Sequence, residues 1–196
     1  MPSDLLRFDK GTGQLFLKGA NGEQQIVAPV EATNRTVFVV VDASGSMAVK
    51  KFEDAAKGAL DFGLVCISKQ YQVGVIVFSN KASASAPTAD PVAFRAKIDK
   101  LECVGGGTYL ASALGHTIDY KPAYVLVVTD GEVADFVESL AVAQRLKSSG
   151  TEILTIGTDD ANQDFLQQLA SRSDLSVKVA SVDLAKTISD SSRLLR

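Results

Sequence analysis

A single histidine, His116, and two cysteines, Cys66 and Cys103, are the only imidazole and thiol donors in 196 residues. A site built on the nitrogen and sulfur ligands that Zn²⁺ prefers is therefore short of material. A serine hydrolase is equally ill served, because the nucleophile elbow Gly-x-Ser-x-Gly is missing and His116 falls in a helical pattern suited to packing or to the surface. Cys66 lies in another helical pattern and Cys103 in a loop, which favours two reduced thiols over a disulfide. No apolar run reaches the roughly 18 residues of a membrane span. The start Met1-Pro2-Ser3-Asp4 has neither a basic leader nor an apolar signal stretch, so a cytoplasmic protein is expected. An excess of either charge is lacking too: a net charge of -3 gives no reason to expect nucleic acid or an anionic membrane as partner. Finally, neither Gly-Lys-Ser nor Gly-Lys-Thr follows the triple glycine Gly105-Gly106-Gly107, and Gly-x-Gly-x-x-Gly is not matched, which removes the usual phosphate cradles.

The chain does contain enough apolar material for one sizeable core, and its length is short for two full domains. Residues 1–34 hold short alternating stretches, 5–8, 14–17 and 24–27, separated by Lys10-Gly11-Thr12-Gly13 and Gly19-Ala20-Asn21-Gly22, and these are hairpin signals. A β appendage over 1–34 and a main domain over 35–196 are expected. In the main domain strand and helix patterns alternate, which implies parallel strands joined by helical crossovers. Strands are expected at 37–41, 72–78, 124–128, 152–156 and 176–179, with a short edge strand near 81–85. Most are continuous runs of Val, Ile, Leu or Phe, as in a sheet covered on both faces. Helices are expected at 51–69, 91–101, 110–119, 134–148, 162–171 and 183–195. The clearest is 51–69, where Phe52, Ala56, Ala59, Gly63 and Cys66 recur at threes and fours. The fold class is thus α/β, a doubly wound, mostly parallel central sheet with helices on both faces.

The run Val37-Phe38-Val39-Val40-Val41 ends on Asp42-Ala43-Ser44-Gly45-Ser46, and Val125-Leu126-Val127-Val128-Thr129 ends on Asp130. In an open parallel sheet ligands gather beyond the carboxyl ends of the strands, where strand order reverses. If those two strands flank the reversal, both carboxylates face one crevice, and Thr108 after the glycines can reach the same point. Asp42, Ser44, Ser46, Thr108 and Asp130 would then supply two carboxylates and three hydroxyls to one cation. That set suits Mg²⁺ best, with Mn²⁺ a close substitute and Ca²⁺ less well matched. Taken singly, each residue has an ordinary alternative: Asp42, Ser44 or Ser46 as a helix cap, Thr108 as the next N-cap, Asp130-Gly131 as a turn pair.

Asp42-Ala43-Ser44-Gly45-Ser46, then Gly105-Gly106-Gly107-Thr108-Tyr109-Leu110, then Val127-Val128-Thr129-Asp130-Gly131-Glu132 resemble the von Willebrand factor A domain family, the integrin I-domain fold. The resemblance covers about 35–196 and implies a complete metal-ion-dependent adhesion site. It implies that Ser44 and Ser46 bind the metal directly, Thr108 directly or through water, and Asp42 and Asp130 mainly through water. It also implies a Glu or Asp from a partner protein in the remaining position. The segment Ile156-Gly157-Thr158-Asp159-Asp160-Ala161-Asn162 resembles the family's stretch after its fifth major strand, where Asp159 and Asp160 are expected to cap the next helix. The implied function is a non-enzymatic, divalent-metal-dependent protein-binding module. With a cytoplasmic location it would act within a multiprotein assembly, such as one with an AAA+ ATPase.

Two alternatives are open at this level. A haloacid-dehalogenase-type phosphoryl transferase also places an Asp at a strand end beside Mg²⁺, yet its second acid, two positions on, is here Ser44. A structural domain with an incidental ion would show metal-dependent stability without metal-dependent association.

Overall fold

In a computed structural model of the chain, the described residues are 6–9, 14–18, 24–26, 35–158 and 161–195. Strands β1 (Leu6–Asp9), β2 (Gln14–Lys18) and β3 (Gln24–Ile26) form an antiparallel three-stranded sheet in the order β1-β2-β3. The glycine-rich segments expected to turn between them, 10–13 and 19–22, lie outside the described residues.

The second sheet has six strands: β4 (Thr36–Asp42), β5 (Gln72–Phe78), β6 (Ala82–Ala84), β7 (Tyr124–Thr129), β8 (Glu152–Gly157) and β9 (Ser176–Lys178). Their order is β6-β5-β4-β7-β8-β9, parallel throughout except for β6, which runs antiparallel at one edge. From β4 the chain moves outward to β5, then returns to β7 on the other side, so strand order reverses between β4 and β7. Both are buried along their whole length.

Alternation along β4 feeds two cores. Val37, Val39 and Val41 face Phe52, Ala55, Ala59 and Phe62 of helix α1 (Ala48–Ser68) together with Leu184 and Ile188 of α6 (Leu184–Asp190). Phe38 and Val40 face the opposite layer, formed by α3 (Ala111–Gly115), α4 (Phe136–Ser148) and α5 (Gln163–Leu169) through Leu114, Ala143, Leu146, Phe165 and Leu169. The remaining helix, α2 (Pro91–Ile98), closes the first layer with Phe94 and Ile98. Continuous apolar strands and two helical layers are the same fact seen from sequence and from space. Gly58 allows α1 and α6 to touch, since a Cβ there would stand 2.7 Å from the Ala185 carbonyl oxygen.

Helices α2, α4 and α5 are two or three residues shorter than the expected 91–101, 134–148 and 162–171, and two further expected helices break. The stretch 110–119 breaks into α3 and a 3₁₀ turn at Ile118–Tyr120, and 183–195 breaks into α6 and a 3₁₀ turn at Ser191–Leu194. Helix α1 instead starts three residues before the expected 51, directly after a 3₁₀ turn at Gly45–Met47. Helix α5 is capped by Asn162, whose side chain accepts from the Phe165 N–H at 3.0 Å. Asp159 and Asp160, the expected caps, lie outside the described residues.

Candidate metal centre

The parallel register pairs Val41 of β4 with Val128 of β7, so Asp42 comes level with Thr129 and Asp130 follows one residue later. Both carboxylates are fully buried. Asp42 is held on two sides: its Oδ1 accepts from the Ser44 backbone N–H at 2.8 Å and its Oδ2 from the Thr129 hydroxyl at 2.5 Å. Burial pushes the Asp42 carboxyl above its ordinary value, the hydrogen bonds from Ser44 and Thr129 pull the other way, and the charge of Asp130 adds to the rise. A carboxylate in that condition gains from a cation.

Ser44 and Ser46 point the same way, with hydroxyl oxygens 3.1 Å apart, and Ser46 donates to Asp130 Oδ1 at 2.7 Å. Ser44 is buried and Ser46 exposed, which puts the hydroxyl pair across the boundary between core and solvent. Gly131 leaves room beside it, because a Cβ there would lie 3.3 Å from Ser46 Oγ. The other oxygen of Asp130 accepts from Lys51 Nζ at 2.7 Å.

The Gly105–Gly107 loop reaches this point through its backbone. Gly105 N–H donates to the Ala43 carbonyl at 3.0 Å, and Gly45 N–H donates to that of Gly106 at 3.1 Å. Gly105 and Gly106 have φ of +71° and +91°, a region that glycine enters without steric penalty. Asn80 clamps the loop by accepting from Gly107 N–H at 2.8 Å. Thr108 is nearly buried, and its carbonyl accepts from Ala134 N–H at 2.8 Å. Among the described residues its hydroxyl has no hydrogen bond to the other four side chains, so Thr108 joins the cluster by loop placement alone.

The ordinary cap readings of these residues are not realised. Helix α1 has Met47 at its N-cap with no side-chain cap, and α3 has Leu110. The free N–H groups of α3 are taken instead by Asp135, whose two oxygens accept from Leu110 and Ala111 at 2.9 Å each. Asp135, Thr129 and Lys51 were not among the expected site residues. Thr129 was legible as the polar residue closing an apolar strand, whereas Lys51 and Asp135 depend on a helix start and a loop path that spacing does not reveal.

Chemically the cluster offers oxygen donors: two buried carboxylates, one of which, Asp130, pairs with the Lys51 ammonium, and the hydroxyls of Ser44 and Ser46 beside them. Among the described residues no three His, Cys, Asp or Glu side chains gather as metal ligands, so a cation here needs the hydroxyls. Cys103 contributes only weak contacts, its Sγ 3.6 Å from the Ala43 and Ser44 carbonyls, and both cysteines are free thiols. A recess of about 410 Å³, lined by Phe78, Asn80, Lys81, Val104 and Gly105 among others, opens beside the glycine loop.

Comparison with known proteins decides the family. The model of the von Willebrand factor type A domain matches residues 36–191. The chain belongs to this family. Its relatives include the mouse (Mus musculus) collagen alpha-4(VI) chain, 28% identical over 150 residues, which cover 69% of this chain and 6% of that protein. The chain thus spans a small fraction of the curated relatives it matches. Among solved structures, the pilus adhesin SpaC from Lactobacillus rhamnosus GG superposes with a TM-score of 0.70 at 15% identity, covering 92% of this chain and 32% of that one. Proximal thread matrix protein 1 from the mussel byssus, with a zinc-occupied metal-ion-dependent adhesion site, gives 0.65 at 18% identity, covering 83% and 46%.

These findings settle the doubly wound, mostly parallel fold, and they make the von Willebrand factor type A domain a non-enzymatic interaction module. They overturn the expected cytoplasmic location. Collagen VI chains, a pilus adhesin and a byssus thread protein point to an extracellular or secreted protein. The expectation rested on the lack of a leader-like stretch in the first residues, and an absence of that kind does not fix a location. An AAA+ assembly has no support among these relatives. Among the described residues no helix is long and apolar enough to cross a membrane.

Proposed function

We propose that Asp42, Ser44, Ser46, Thr108 and Asp130 hold one Mg²⁺ and that the domain captures an Asp or Glu side chain of an extracellular partner protein on that ion. The observation that carries this is the continuous chain of contacts Ser44, Ser46, Asp130, set beside the buried Asp42 at the strand-order reversal. Two hydroxyls and a carboxylate from segments 84 residues apart are brought together with no cap or turn role to account for them. The zinc-occupied site of the mussel neighbour supports a divalent ion at this kind of centre. The oxygen-only donor set favours Mg²⁺, with Mn²⁺ next and Ca²⁺ after it.

When bound, the ion supplies an electrophilic point charge for an external carboxylate. The chain's own residues do the rest. Thr129 fixes the rotamer of Asp42, Ser46 orients Asp130, and Asn80 and Asp135 position the loop that carries Thr108. The recess beside Lys81 and Val104 gives a partner further contact surface. Residues 35–196 form the binding domain in this reading, with 1–34 as an appendage.

The test is capture of the partner from an extracellular extract by the whole chain in Mg²⁺ and in chelator. The parent should retain a partner only in Mg²⁺, and folded Ser44→Ala and Asp130→Ala proteins should retain none. Equal capture by parent and variants, or in chelator, refutes the proposal. Metal-dependent melting without metal-dependent capture would show the ion to be structural.

A further inference from the structure

We propose that Lys51 sets the charge of the centre, weakening its hold on the metal while strengthening its hold on the partner's carboxylate. The inference rests on the metal-dependent reading above and deepens it.

Asp130 divides its two oxygens. Oδ1 takes the Ser46 hydroxyl, and Oδ2 takes the Lys51 ammonium, each at 2.7 Å. Lys51 therefore holds the carboxylate oxygen that Ser46 does not. It projects from the first turns of α1, which begins directly after the Asp42–Ser46 segment, so its place is fixed by a helix packed on the sheet. The lysine side chain is only 24% exposed and its partner is fully buried, where a charge pair is screened far less than at the surface. Among the described residues, the groups holding the oxygens of Asp42 are a backbone N–H and a hydroxyl, with no cation among them.

Beside Asp130, Lys51 adds one positive charge to the field of the centre. Removing it makes the surroundings of the two carboxylates more negative by one unit, which favours a divalent cation and disfavours a further carboxylate. Lys51 repels the cation and, once the cation is seated, joins it in attracting the acid. Metal and acid ligand should then each tighten the other, since coupling between two sites is reciprocal. Lys51 acts here through Asp130 and the local field, as a positioning and charge-setting residue.

The test uses the whole chain, with Mn²⁺ as metal probe followed by water-proton relaxation, and acetate as carboxylate probe displacing metal-bound water. Lys51→Met should bind Mn²⁺ about tenfold tighter than the parent, and at saturating Mn²⁺ should need about fivefold more acetate for half-displacement. Lys51→Arg, which keeps the charge, should follow the parent in both. Lys51→Gln serves as the second neutral variant should the Met protein fold poorly. Mn²⁺ affinities that are equal in the parent and both neutral variants, or acetate affinity that rises along with metal affinity, overturn the proposal while leaving the metal site intact. Absence of Mn²⁺ binding in parent and variants alike, in folded protein, overturns both it and the reading beneath it.

Discussion

Thr129 donates its hydroxyl to the carboxylate of Asp42 at 2.5 Å, across neighbouring strands and 87 residues of sequence. Both side chains are fully buried, so the bond is a fixed part of the core and a fixed part of the candidate site. Thr129→Val keeps the shape and removes the donor. Stability in chelator should fall by about 1–3 kcal/mol, because a buried acceptor loses a partner, as read from the urea midpoint at unchanged slope. A smaller loss than for a surface Thr→Val control would contradict the role given to this contact.

The raised Asp42 carboxyl predicts a pH dependence of definite sign. The native state holds that proton more tightly than the unfolded chain, whose value is near 3.8. The associated stability is therefore present below that pH and lost as pH rises through the native value. In chelator, the parent should lose stability relative to Asp42→Asn across this interval, measured by denaturant unfolding at a series of pH values. Added Mg²⁺ should oppose the loss, since an ion binds the deprotonated form. Parallel pH curves for the two proteins would contradict the direction assigned to Asp42.

Asp135 bridges the start of α4 to the start of α3 by accepting from Leu110 and Ala111. Asp135→Ala should cost about 1–2 kcal/mol, the usual range for losing a strong cap. Amide exchange should quicken at Leu110 and Ala111 first, while the amides of β4 and β7 stay protected. Uniform acceleration across the sheet would mean that Asp135 supports the fold as a whole and not the loop bearing Thr108.

Gly106 has φ of +91°, and a Cβ on it would lie 2.6 Å from Asn80 Nδ2. Gly106→Ala should destabilise by about 1 kcal/mol or more from backbone strain alone. It should also push Asn80 off the Gly107 N–H, so that Mg²⁺ affinity falls by more than stability does. Gly115→Ala, at a position where nothing lies within 4 Å of the added carbon, is the control. Equal effects of the two substitutions would remove the loop from the account.

Much of this was legible in the sequence for a simple reason: buried parallel strands must be apolar from end to end, and a polar residue closing such a run stands out. Asp42 and Asp130 were visible on that ground, and the crossover pattern placed them on strands that the structure shows to be neighbours. The split of 110–119 into α3 and a 3₁₀ turn was not legible, because Leu110, Leu114 and Ile118 keep a helical period that says nothing of where the hydrogen bonds stop. Lys51 carried no assigned role in the sequence, because its contact with Asp130 joins residues 79 positions apart. Location failed for a different reason, since the family's setting is a property of whole proteins and leaves no trace in the packing of one domain.

Both outer strands of the larger sheet, β6 and β9, are three residues long. So little open ladder gives an approaching strand almost nothing to zip onto. Neighbouring copies of the domain would therefore find few main-chain handholds along the flanks of this sheet.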